Sequence, residues 1–138
     1  MALYSREENN VVTQLAGTVQ LPRMFRVRQK FDEQHFEPEE LPAIVREELS
    51  NSGMAGRIQP GMEVAITGGS RGVANIAIVL KAIADFVKEK GASPFVFPAM
   101  GSHGGATVEG QLEILAGYGV TEEFLGCPIR ATMGSEEY

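Results

Sequence analysis

The sequence predicts an α/β layered fold of Rossmann-like type, with a mainly parallel sheet and helices on its faces. Three observations carry that expectation. Apolar residues switch between a period of two and a period near 3.6 from Met24 onward, so strand-like and helix-like stretches alternate. Two Gly-rich loops each follow a strand-like run and precede an amphipathic stretch. The chain has 138 residues, 43% of them hydrophobic and 22% charged, enough for one globular core.

Residues 1–21 read as an N-terminal arm with a strand candidate over Val11–Leu21, and residues 22–138 as the α/β domain. Phe25, Val27 and Phe31 alternate with Arg26, Arg28 and Lys30, which predicts a half-exposed strand over Met24–Phe31. Asp32–Pro38 is a polar connection carrying His35, a surface or interface histidine. Leu41, Ile44, Val45, Glu48 and Leu49 give helical spacing over Glu39–Ser52. Pro38 or Pro42 falls near its start, where a missing N–H does little harm, and Gly53 suits its C-cap.

Pro60-Gly61 marks a turn before a short buried strand, Met62–Thr67. The longest helix expected is Asn75–Lys90, with Ile76, Val79, Leu80, Ile83, Phe86 and Val87 inward, Asn75 capping its start and Gly91 its end. Ser93–Ala99 follows as a strand, then a helix over Thr107–Ala116 carrying Val108, Leu112 and Leu115 and ended by Gly117 and Gly119. One helical turn is expected at Thr121–Leu125 and a last strand at Pro128–Met133. The chain stops just past that strand, which predicts the N-terminal part of a longer, two-domain protein.

Bulk properties exclude several roles. The net charge of −6 argues against nucleic-acid binding, which needs a cationic footprint. The lone Cys127 makes no intrachain disulfide and fits a reducing compartment, with a small buried hydrophobe as its expected role. Met1–Asn10 has no signal-peptide core, and Lys81 and Asp85 interrupt the apolar stretch Val73–Val87, so neither export nor a membrane span is expected. A cytoplasmic protein with no membrane or nucleic-acid partner follows.

The chemistry is expected in the two loops, Thr67-Gly68-Gly69-Ser70-Arg71-Gly72 and Met100-Gly101-Ser102-His103-Gly104-Gly105-Ala106-Thr107. Right-handed crossovers place both at the carboxyl ends of parallel strands, where open α/β sheets bind ligands. If the strands are neighbours, Arg71 and His103 reach one small molecule. An imidazole suits proton transfer near neutrality, so His103 is the catalytic candidate. The planar fork of Arg71 suits a carboxylate or phosphate. Ser70, Gly72, Ser102, Gly104 and Gly105 would complete an anion-binding nest of hydroxyl and backbone N–H groups around substrate or cofactor. No metal ligand is assigned in this chain.

From Ile58 onward the order is strand, Ser-Arg loop, helix, strand, "GSHGGAT" loop, helix, then Gly-Tyr-Gly-Val-Thr-Glu-Glu-Phe-Leu-Gly. This order and these motifs resemble the N-terminal domain of the nickel-dependent lactate racemase (LarA-like) family of 2-hydroxy-acid racemases and epimerases. Ser70-Arg71 falls on that family's Thr-Arg, and His103 on the histidine of its His-Arg pair. Gly68 stands in place of an acidic residue, Gly72 in place of a proline and Gly104 in place of the arginine. The resemblance implies a small 2-hydroxy-acid substrate and an isomerase of which this chain is part. It also implies a nickel-pincer nucleotide carried by a C-terminal domain of the same protein, outside this chain.

A second resemblance competes. Glu63–Gly72 is similar to the opening strand and TGxxxGxG loop of short-chain dehydrogenases, which implies an NAD(P)-binding oxidoreductase. Ala74 stands for the last glycine of that motif, and no Tyr-x-x-x-Lys pair occurs in the chain. A non-catalytic small-molecule binding domain is the third alternative, with the loops serving as tight βα turns.

Overall fold

The computed structural model describes residues 17, 23, 25–31, 35–71 and 73–132. The chain divides into two compact units, Met1–Gln34 and His35–Tyr138. The strand candidate Val11–Leu21 and Met24 fall largely or wholly outside the described residues. Phe25–Phe31 is described and forms no strand, and Phe25, Val27 and Phe31 are exposed. Alternation alone does not make a strand; a ladder partner must take up the backbone N–H and C=O groups.

The second unit is a mixed α/β structure. Helix α1 spans Leu41–Asn51, with a proline in its first turn. Its Leu41, Ile44, Val45 and Leu49 are half-buried while Glu48 is exposed, so the apolar stripe is narrower than expected. Strand β1 (Glu63–Gly68) leads through the first loop to helix α2 (Ile76–Glu89), strand β2 (Ser93–Pro98) and the second loop. Helix α3 (Val108–Gly117) and the short helix α4 (Glu122–Leu125) complete the order.

β1 and β2 pair in parallel, with Glu63 opposite Ser93, Ile66 opposite Val96 and Gly68 opposite Pro98. On its other side Val96 makes an isolated parallel bridge to Ile129. Val96 N donates to Pro128 O at 2.9 Å and Arg130 N to Val96 O at 2.8 Å. The expected last strand is thus a single bridge among the described residues, and Met133 lies outside them.

One face of the sheet is buried by Ile66, Gly68, Pro94 and Val96. Glu63, Ala65 and Thr67 on the opposite face of β1 are exposed, so β1 is half-buried rather than buried on both sides. α2 packs on both strands, α1 on α2, α4 on α2, and α3 on β2. The core gathers Ile66, Leu80, Ala84, Val96, Met100, Leu115, Val120, Leu125 and Cys127. Leu115 and Leu125 are fully buried there, and truncating such a leucine to alanine typically costs about 2–5 kcal/mol. Burial raises the Cys127 thiol above its ordinary value, in keeping with a packed hydrophobe.

Asn75 does not cap α2 with its side chain. Its backbone takes the left-handed region (φ 57°), which asparagine tolerates better than most residues, and no side-chain cap bond forms. At the other end Gly91 closes the helix as expected: its φ is 78°, Gly91 N donates to Lys88 O at 2.8 Å and Ala92 N to Val87 O at 3.2 Å. No helix among the described residues is long and apolar enough to cross a membrane.

Candidate functional site

Parallel pairing with aligned ends brings the loops after β1 and β2 side by side, since Gly68 and Pro98 are register partners. The loops are joined at their bases, where Ala99 N donates to Gly68 O at 2.8 Å. Above that bond lies a cleft of about 370 Å³ lined by Gly69, Ser70, Arg71, Ala99, Met100 and His103. Ser70 Oγ is 2.5 Å from His103 Nδ1, and Arg71 Nη2 is 3.2 Å from His103 Nε2. The residues expected to share one ligand therefore touch directly. The cleft lining holds a guanidinium and an imidazole and no carboxylate, in a chain whose net charge is −6. That local reversal of sign favours an anion.

The second loop carries His103–Ala106 as a 3-10 turn in which Gly104 (φ 65°) and Gly105 (φ 67°) leave the helical region. His103 N donates to Met100 O at 3.2 Å, fixing the residue that bears the imidazole. Thr107 caps α3: its Oγ1 accepts from Gly110 N at 3.0 Å and donates to Gly104 O at 3.0 Å. Gly104 lies directly on α3, because a Cβ there would come within 2.4 Å of Gly110 C. Its place in the loop thus has a packing cause. Of the other expected site residues, Ser102, Gly104 and Gly105 do not line the cleft, and Gly72 lies outside the described residues.

Gly68 has a packing cause too. A Cβ at that position would meet Leu115 Cδ2 at 3.1 Å and Val96 Cγ1 at 3.3 Å. A side chain there would start inside the core, against Leu115 and Val96.

Two residues of the site were not read from the sequence. Gln111 is only 6% exposed, and its Nε2 donates to Gly101 O at 2.9 Å, holding the histidine loop. Tyr118 donates its hydroxyl to Ser70 O at 3.0 Å, holding the Ser-Arg loop. Gln111 left a signal, a polar residue between Val108 and Leu115 on the inward stripe of α3. Tyr118, just beyond the helix, left none. His35 is exposed beside Glu37 and takes no part in the cleft.

Comparison of the chain with protein-family models, with curated proteins and with solved structures finds no match. Among the described residues no group of three or more His, Cys, Asp or Glu is placed to hold a metal ion.

Proposed function

We propose that this chain is the N-terminal, Rossmann-like domain of a cytoplasmic lactate racemase-like 2-hydroxy-acid racemase or epimerase. In this reading His103 is the acid/base group and Arg71 the carboxylate clamp. The observation that carries it is the convergence of Ser70, Arg71 and His103 on one cleft whose lining has no carboxylate.

Racemising a 2-hydroxy acid requires moving the hydroxyl proton and holding the carboxylate while C2 changes configuration. Arg71 offers the forked donor for the carboxylate and His103 the group for the hydroxyl. Ser70 orients the imidazole through Nδ1. Acid/base help of this kind is worth about 100- to 10,000-fold in rate. The nickel-pincer nucleotide of the resembled family supplies hydride acceptance when bound. In this proposal, as the resemblance implies, that group is carried by a C-terminal domain outside this chain, and no step is routed through it.

The dinucleotide alternative has less support. A cleft of about 370 Å³ is at the small end of ligand pockets, which run about 300–1,000 Å³, and fits a small acid better than a whole dinucleotide.

An NMR titration tests the proposal. Lactate is expected to shift the Gly69 and Arg71 amides of the first loop together with the His103 and Gly104 amides of the second. Shifts centred on Gly68–Ala74 with NAD(P), and none with lactate, would overturn it in favour of the oxidoreductase.

A further inference from the structure

The cleft contains a hydrogen-bond chain whose direction is fixed by chemistry. A guanidinium only donates, so at Arg71 Nη2–His103 Nε2, 3.2 Å apart, the imidazole nitrogen is the acceptor. Nε2 then carries the lone pair. A neutral imidazole has one N–H, which must sit on Nδ1 and donate to Ser70 Oγ at 2.5 Å. Two consequences follow. The Ser70 hydroxyl receives a bond from His103 and gives it no proton, so the pair is not arranged as an activated serine nucleophile. The basic nitrogen that faces Arg71 is capped by it in the free protein.

We propose that a carboxylate ligand uncovers this base: Arg71 leaves His103 Nε2 for the ligand's carboxylate, and the freed lone pair becomes the acceptor for a donor on the ligand. The inference rests on the racemase-like reading for the identity of that donor, the 2-hydroxyl, but not for the displacement itself. Arg71 is exposed and makes this bond from a long, flexible side chain. His103 is half-buried and held at three levels: its Nδ1 by Ser70, its backbone N–H by Met100 O, and its loop by Gln111. The arginine is therefore the partner that moves. A carboxylate brings the opposite charge and takes two parallel N–H···O bonds from the guanidinium, where the imidazole nitrogen takes one and is neutral, so the exchange runs toward the ligand. The cleft would then select ligands with an anionic group and a donor on the neighbouring carbon. A neutral 2-hydroxy amide leaves Arg71 where it is.

The test is histidine 15N NMR on the whole chain at alkaline pH, reading which ring nitrogen carries hydrogen, together with the Arg71 side-chain resonances. The chain has 2 histidines, and His35→Gln, outside the cleft, assigns the signals. In the free protein Nδ1 is expected to carry the hydrogen and Nε2 the lone pair. Propionate and lactate are both expected to move Arg71 and change Nε2, lactate giving a further, distinct Nε2 shift because only its 2-hydroxyl donates to the freed lone pair. Lactamide is expected to do neither, and Arg71→Ala to abolish the Nε2 response to propionate. A free ring protonated on Nε2 overturns the proposal. So does a carboxylate that shifts both loops while Nε2 and Arg71 stay still. Lactate and propionate acting identically would uphold the displacement of Arg71 and sink the hydroxy-acid reading instead, so the two failures are distinguishable.

Discussion

Gly104 shows how a single residue sets the site. Its φ is 65°, and a Cβ would lie 2.4 Å from Gly110 C, while a Cβ on Gly110 would lie 1.9 Å from Gly104 O. The loop and helix α3 thus meet backbone to backbone, one residue from the imidazole. Gly104→Ala combines left-handed strain of about 1–2 kcal/mol with overpacking of about 1–3 kcal/mol, and is expected to destabilise by about 2–5 kcal/mol. Ala106 is the converse case, a non-glycine residue at φ 56°, and Ala106→Gly is expected to gain up to about 1 kcal/mol. Denaturant midpoints at constant m-value decide both. A Gly104→Ala variant as stable as the wild type would show that the loop does not rest on α3 in solution. Cys127 offers a second check at this scale. Burial raises its thiol, so alkylation is expected to be slow in the native state and to follow unfolding as denaturant is added. Rapid alkylation without denaturant would contradict the packing around it.

Helix α3 acts as a strut between the two loops. Gln111 lies within it and Tyr118 is its C-cap residue. One holds the carbonyl of Gly101 and the other the carbonyl of Ser70. The separation of Ser70 from His103 is thereby tied to one rigid element. Tyr118→Phe removes a hydrogen bond worth about 0.5–1.5 kcal/mol, and is expected to speed amide exchange at Gly69–Arg71 while leaving Gly101–Gly104 nearly unchanged. Gln111→Ala is expected to do the reverse, with a larger loss of stability because Gln111 is buried. Equal effects of both variants on both loops would mean that α3 does not address them separately. The limits of sequence reading lie at this same scale. The periodicity of Ile76–Glu89 marks α2 to within a residue at each end, because an amphipathic helix records its own face. The bond from Tyr118 to Ser70 spans the fold and leaves no local pattern to read.

For the whole molecule, the alternation of strand and helix was legible because each element carries its own period and each turn its own glycine. The adjacency of Arg71 and His103 followed from it, since parallel neighbours put successive βα loops at one end. What was not legible depends on partners distant in sequence: the failure of Phe25–Phe31 to form a strand, the half-exposure of β1, and the packing causes of Gly68 and Gly104. The long-range ion pairs are of this kind too. Arg46 on α1 forms a bidentate pair with Glu89 at the end of α2, and Arg130 Nη2 bonds Glu63 Oε1 at 2.6 Å, joining the segment beyond β2 to the start of β1. In each pair the hydrogen bond from arginine is the main cause that lowers the carboxyl below its ordinary value. A carboxyl lowered in the folded state contributes its stabilisation above the unfolded value, near 4.3, and loses it as pH falls through the folded value. The pairs are surface-exposed, so the effect is modest and sensitive to salt. Melting temperature is therefore expected to be flat from neutrality down to about pH 5 and to fall below it, less steeply in Glu89→Gln and Glu63→Gln than in the wild type. Added salt is expected to shrink the difference between the profiles. Identical acid limbs in wild type and both variants would show that these pairs do not join α1 to α2, or β1 to the segment beyond β2, in solution.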